Sequence, residues 1–343
     1  MQPTEITVDK RTDGPGVSVI DSNAPAAPMY RLLAAMRSPV ALRDLMIQPV
    51  RSGYVGQDHP IDPAVLPPTA EKVYPEIEVD HVFVPSRDGP IRCQRYKRAD
   101  ATGQQPMVLY IHGGGFTVGQ SEDTAYITSR MAWENNLVVL SVNYRLAPEW
   151  PFPYGLNDCL HVLSWMRRHG DEVGGDPARI AVAGDSAGGN FAAALPLAAR
   201  GRGIEPPEAA LLLCPITDFF FEQYVSFQQL APRGIVYDTA FMGYIRGAYA
   251  VSYDNWSHPH VSPIKGELGG FPPTLMVSGT ADPLVDDNRA FVAKLNEAGN
   301  PHVEHVLSEG MPHGFYFFHG MFEESKMAYA AMSRFLKQHL VDA

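Results

Sequence analysis

The stretch Arg179 to Asn190, RIAVAGDSAGGN, constrains this chain more than any other. Ile180 to Ala183 is a short apolar run suited to a buried strand, and Asn190-Phe191-Ala192-Ala193-Ala194 is a good helix former. Between them Gly184-Asp185-Ser186-Ala187-Gly188, followed by Gly189, has to turn the chain from strand to helix. A serine at the tip of so sharp a turn needs strained backbone, and glycine before and after it lets strand and helix pass closely. Such a turn lifts the Ser186 hydroxyl clear of the sheet and points a helix N-terminus at it. The G-x-S-x-G pattern alone is common by chance; the strand before it and the helix after it give it weight here.

The chain around this turn alternates strands and helices. Apolar runs at Met107–Ile111, Leu137–Val142, Ile180–Ala183, Ala209–Cys214, Thr274–Ser278 and Val303–Leu307 are separated by helical stretches such as Thr124–Asn135, Gly155–His169 and Asp286–Ala298. Continuous apolar strands spaced by helices predict a parallel sheet covered on both faces, an α/β fold. Ahead of them a period-two pattern runs from Ile77 to Val84 and resumes at Ile91, with Asp88-Gly89 between, which predicts a hairpin. Residues 1 to about 28 read as a loosely held arm, and Pro28 to Val50 as two short amphipathic helices before a Pro-rich link. About sixty residues between Cys214 and Thr274 are rich in aromatics, among them Phe219, Phe221, Tyr237, Phe241 and Tyr249. That is too long for a loop, so it predicts a helical insertion over the carboxyl ends of the strands, most of its aromatics packing its own core and a few lining a pocket. The expected divisions are an N-terminal arm and cap helices over 1–70, a first core part over 71–215, a cap insertion over 216–272 and a second core part over 273–343.

Bulk properties narrow the partners. At 343 residues the chain suffices for one α/β core with an appended cap. A net charge of -11 argues against nucleic acid and against anionic membrane surfaces. The three cysteines, Cys93, Cys159 and Cys214, show no C-x-x-C and read as buried thiols in a reducing compartment, without a metal site. The first residues lack a secretory signal pattern, and no run of eighteen apolar residues occurs, so a soluble, cytoplasmic protein is expected.

Nucleophilic catalysis by a serine requires an exposed hydroxyl, a base, an acid that orients the base, and donors for a developing oxyanion. His112-Gly113-Gly114-Gly115-Phe116 leaves the Met107–Ile111 strand with three glycines whose amides no side chain obstructs, and these are expected to join the amide of Ala187 as donors. His112 itself reads as holding that loop through hydrogen bonds. His313, in a loop after the last strand, is the candidate base, with His319 as the nearest rival. Asp282, directly after the Thr274–Ser278 strand, is the candidate acid, because ligand groups gather at the carboxyl ends of strands in such sheets. Asp286 and Asp287 are rivals that read more naturally as first-turn charges of the next helix. Asp185 is expected to face the wrong way to orient a histidine.

His112-Gly-Gly-Gly-Phe116, Tyr144-Arg145-Leu146-Ala147-Pro148-Glu149, Gly184-Asp-Ser-Ala-Gly188, Asp282-Pro283-Leu284 and His313-Gly314-Phe315, in that order, resemble the hormone-sensitive-lipase-like esterases of the α/β-hydrolase superfamily. The resemblance implies a mostly parallel eight-stranded sheet flanked by helices, a helical cap, and hydrolysis of carboxylic esters without a cofactor. It implies Ser186 as nucleophile, His313 as base, Asp282 as orienting carboxylate, and Gly114, Gly115 and Ala187 as oxyanion donors in preference to Gly113. It also implies an Arg145–Glu149 pair near the floor of the site and a homodimer through the sheet edge. Phe116 stands where many relatives carry tryptophan, a difference that affects pocket shape.

The expected activity is a serine carboxylesterase acting on short to medium acyl esters through an acyl-enzyme. The same constellation serves an amidase, a deacetylase or an acyltransferase, since it fixes the acyl-enzyme without fixing what leaves or accepts. A ligand-binding receptor on a hydrolase scaffold is a third reading, which the presence of His313 disfavours.

Overall fold

The computed structural model describes residues 74–318 and 322–342. The arm and helices expected within residues 1–70 lie outside the described residues, as does His319.

The alternating pattern ahead of the core forms the expected hairpin, β1 (Ile77–Val84) against β2 (Ile91–Arg98), with Val84 opposite Ile91. β3 (Gln105–Ile111), β4 (Val138–Val142), β6 (Ala209–Leu213) and β7 (Thr274–Gly279) are buried from end to end, as continuous apolar runs require when both faces are covered. With β5 (Gly175–Asp185) and β8 (Val303–Ser308) they complete an eight-stranded sheet in the order β1-β2-β4-β3-β5-β6-β7-β8. β2 meets β4 antiparallel, and every pairing from β4 to β8 is parallel. The strand order reverses around β3 and β5, and at such switch points the carboxyl ends of strands open a crevice.

Helices α1 (Ala125–Asn135), α2 (Tyr154–His169) and α3 (Ala187–Gly201) connect the central strands. α2 and α3 pack on one another and on β5, whereas α1 lies along β2 and β4 and meets the C-terminal helix of the sheet's other cover. Between β6 and β7 come α4 (Val225–Leu230), α5 (Thr239–Tyr249) and a single turn at Tyr253–Trp256. After β7 follow α6 (Val285–Glu297) and, beyond β8, α7 (Glu323–Leu336).

Buried polar contacts root the β6–β7 insertion. Asn190 Nδ2 on α3 donates to the carbonyls of Ile216 (2.7 Å) and Val261 (2.8 Å), near the two ends of the insertion. Asp287 accepts from the Thr217 amide at 2.8 Å and from its hydroxyl, and Asp286 accepts from the Ser226 amide at 2.8 Å. Both carboxylates therefore sit in the first turn of α6, as expected, and they also bind the insertion to that helix. Phe116 stacks on Tyr249 with centroids 3.9 Å apart and meets Phe191 edge-on, so a large share of the aromatics are packing groups.

One expected contact is not formed. Arg145 pairs with Asp158 on α2, Nη2 lying 2.6 Å from Oδ1, and reaches Asp88 at 3.2 Å; its partner is not Glu149. A carboxylate on a buried helix face, one that also accepts the Arg145 amide at 2.9 Å, offers the guanidinium a fixed fork that the exposed Glu149 cannot match.

Candidate active site

The turn between β5 and α3 is as tight as its sequence requires. Ser186 has φ 55° and ψ −117°, a region that side-chain-bearing residues rarely occupy. Its amide donates to the Leu213 carbonyl at 2.8 Å and its carbonyl accepts from Asn190 at 2.9 Å, so neighbouring structure holds the strain in place. A Cβ on Gly188 would overlap the carbonyl oxygens of Ile111 and His112, which is why α3 can pass β3 only with glycine there.

The glycine loop is fastened from below. Asp185 Oδ2 accepts the Gly113 amide at 3.1 Å and Oδ1 accepts the Tyr110 hydroxyl at 2.9 Å. Burial pushes the Asp185 carboxyl up to about 6, although the Tyr110 hydroxyl and the nearby His313 favour its ionised form. His112 is also buried, which lowers it to about 4; its neutral ring lies with Nδ1 2.8 Å from the Gly113 carbonyl and stacks on Tyr144 at 4.3 Å. A carbonyl can only accept, so Nδ1 carries the proton. The Tyr144 hydroxyl donates to the His112 carbonyl at 2.9 Å. Gly114, at φ 108°, turns its carbonyl to the amides of Thr117 and Val118. The Gly113 amide is thus occupied, whereas the amides of Gly114, Gly115 and Ala187 meet no protein acceptor among the described residues.

On the other side of Ser186, His313 and Asp282 are joined, Nδ1 to Oδ2, at 2.7 Å. The imidazole is 5% exposed and the carboxylate fully buried. Asp282 sits just past β7 and His313 just past β8; the Ala281 amide donates to the Met311 carbonyl at 3.0 Å, and the Thr280 amide to Ser308 at 3.0 Å. Parallel neighbours thereby present both side chains at one rim of the sheet. The second carboxylate oxygen accepts from the Leu284 amide at 2.9 Å and from the Tyr237 hydroxyl at 2.8 Å.

Ser186, His313, His112 and the three glycines line one cavity of about 90 Å³, together with Val236, Tyr237 and Phe241 of the insertion. Among the described residues no other histidine reaches it: His161 bonds the Pro85 carbonyl, His305 the Ser278 hydroxyl, and His258 packs with His260. Among the described residues Cys214 offers the one cluster with ligand spacing, its sulfur lying with an Asp282 oxygen and a His313 nitrogen inside 4.8 Å. Burial raises that thiol well above its usual range, which keeps it protonated, and the other two groups already bind each other. Of the expected site residues, Ser186, His313, Gly114 and Gly115 line the crevice, Asp282 is bonded to His313 behind it, and Ala187 is the buried residue next after Ser186. Sequence reasoning missed two more, Tyr237 at Asp282 and Asp185 under Gly113. Asp185 could have been found from its place inside the G-x-S-x-G; nothing local distinguishes Tyr237 from the other aromatics of the insertion.

A family model for the alpha/beta hydrolase fold matches residues 108–317. This chain belongs to that family. Within it the hydrolase falls among the hormone-sensitive-lipase-like esterases. The hydrolase is 36% identical over 258 residues to carboxylesterase NlhH of Mycobacterium tuberculosis, covering 73% of this chain and 79% of that one. It is 30% identical over 268 residues to an ethyl acetate hydrolase of Pseudomonas putida, covering 76% and 83%. Among solved structures the hydrolase is similar to a thermostable esterase from Pseudomonas putida, with a TM-score of 0.78 and 27% identity over 93% of this chain and 99% of the other.

Proposed function

We propose that this hydrolase is a serine carboxylesterase that cleaves short- to medium-chain carboxylic esters by way of an acyl-enzyme. The observation that carries the reading is the 2.7 Å contact of His313 Nδ1 with Asp282, on the rim of the cavity that Ser186 shares. Asp282 takes the Nδ1 proton as a hydrogen bond, which leaves Nε2 as the ring nitrogen able to accept one. His313 removes the Ser186 proton, the oxygen attacks the ester carbonyl, and the oxyanion that forms is held by the amides of Gly114, Gly115 and Ala187. His313 then returns the proton to the departing alcohol, and water repeats the sequence on the acyl-enzyme. Gly113 is assigned no part, since its amide already serves Asp185.

The insertion over 216–272 acts in this reading as part of a cap, because Val236, Tyr237 and Phe241 wall the cavity. A cavity of about 90 Å³ with Val236, Tyr237 and Phe241 in its walls favours small acyl groups. The ethyl acetate hydrolase among the relatives supports the same preference. Three buried, unpaired thiols fit a reducing, cytoplasmic setting.

A fluorophosphonate probe tests the nucleophile. Ser186 is expected to be labelled, and Ser186→Ala is expected to abolish both labelling and hydrolysis, losing more than the hundredfold to thousandfold typical for one oxyanion donor. Hydrolysis retained by that variant overturns the assignment. Aryl esters from acetate to laurate are expected to show an optimum at the short end, and transfer of the acyl group to an amine in preference to water would redirect the reading to an acyltransferase.

A further inference from the structure

We propose that Tyr237 is a positioning residue for the reaction: from the insertion between β6 and β7, its hydroxyl holds the Asp282 carboxylate in the orientation in which it carries His313. The proposal rests on the functional reading above and adds to it a group from outside the sheet.

The carboxylate of Asp282 has no access to solvent, so each of its oxygens depends on protein donors. One oxygen faces His313. The other receives the Leu284 amide, from the loop that Asp282 itself belongs to, and the Tyr237 hydroxyl, from a residue forty-five positions earlier. Two donors on the second oxygen fix the carboxylate's rotation about its χ2 axis, and that fixes where the first oxygen points. The same tyrosine ring stands edge-on to the imidazole, with centroids 5.0 Å apart and planes at 84°. A single side chain thus abuts both the acid and the base.

Tyr237 is suited to this task. It is 5% exposed, and burial beside Asp282 raises its phenol well above the usual range, so it remains a donor at any working pH. Its backbone is set by the start of α5, where the neighbouring Asp238 side chain caps the helix by accepting the Phe241 amide at 2.7 Å. Val236 and Phe241, on either side of it, wall the cavity. An insertion that shifts away from the strand ends takes the hydroxyl with it, so the base is fully oriented only when the insertion is seated. The exposed Tyr244 and Tyr253 of the same insertion have no such reach.

A double-mutant cycle tests this with Tyr237→Phe, which keeps the ring and its packing, and Asp282→Asn, assayed on an aryl acetate. Tyr237→Phe is expected to lower kcat about tenfold, the effect of one hydrogen bond to a charged group, with KM changing less than about threefold. In the Asp282→Asn background the same substitution is expected to cost less than about twofold, because the group it acts through has been altered. Labelling of Ser186 by the fluorophosphonate is expected to slow by the same factor as kcat. An unchanged kcat in Tyr237→Phe, a loss confined to KM, or an equal loss in both backgrounds overturns the proposal, the last two outcomes making Tyr237 a wall of the pocket. Full activity in Asp282→Asn alone would instead overturn the functional reading, and this inference with it.

Discussion

Asp185, beside the proposed nucleophile Ser186, fastens the glycine loop. Its two oxygens hold the Gly113 amide and the Tyr110 hydroxyl, so it fixes the start of the loop whose next two residues line the cavity. Asp185→Ala leaves both donors buried without a partner, which costs about 1–3 kcal/mol for each. The loop is then free to shift, and kcat is expected to fall at least tenfold in a steady-state assay. Asp185→Asn offers one acceptor to Gly113, while the Tyr110 hydroxyl can rotate to accept from the amide nitrogen. Its kcat is expected to stay within about threefold of the parent, so equal losses in the two variants would place the role of Asp185 in its charge. Ser186, Asp282 and His313 are residues whose types announce a chemistry, and the sequence alone nominates them. Tyr237 is not nominated in that way, and Asp185 only by its place inside the G-x-S-x-G, because what they touch lies forty-five and seventy-two positions away along the chain.

At the level of elements, the sheet was the readable part. Strands buried on both faces have to be continuously apolar, and that pattern marked β3, β4, β6 and β7 to within two residues but only the buried second half of β5, whose residues 176–179 are partly exposed, with the Asp88-Gly89 turn marking the β1–β2 hairpin. The insertion was legible as a length and a composition only, since its course is decided by buried polar contacts to α3 and α6. Asn190 carries the main burden, donating to the carbonyls of Ile216 and Val261 from the second turn of α3. Asn190→Ala strands both oxygens in the interior and is expected to destabilise the fold by about 2–4 kcal/mol, read as a lower urea midpoint with an unchanged slope. Gly188→Ala is expected to be worse, because the added methyl meets backbone oxygens of Ile111 and His112, which cannot give way as a side chain does. Soluble, fully active Gly188→Ala protein would contradict the close passage of α3 over β3.

Across the whole molecule the buried ionisable groups pull stability in opposite directions as pH falls. His112, His260 and His305 are each lowered from 6.5 to about 4, chiefly by burial. The unfolded chain protonates them first, so each withdraws stability as pH drops from about 6.5 toward 4. For the fully enclosed His112 the loss is on the order of 3 kcal/mol. Asp185 runs the other way. Its carboxyl is raised from 3.8 to about 6, so the folded state keeps a proton that the unfolded state has released. The stability this contributes is complete below about 4 and disappears as pH rises through about 6, again on the order of 3 kcal/mol. Asp287, raised well above its ordinary value by burial, has the same sign as Asp185. Between pH 6.5 and 4.5 the histidines and the carboxylates act against one another, Asp123, which burial raises to about 6, standing with Asp185. Asp185→Asn removes one carboxylate from that opposition without touching the histidines. Its midpoint is expected to fall relative to the parent's over the same range, with about one more proton taken up on unfolding at pH 5 than the parent takes up. Parallel profiles for the two proteins would mean that Asp185 is ionised in the folded state throughout that range, and that the donors at Tyr110 and Gly113 outweigh the cost of its burial.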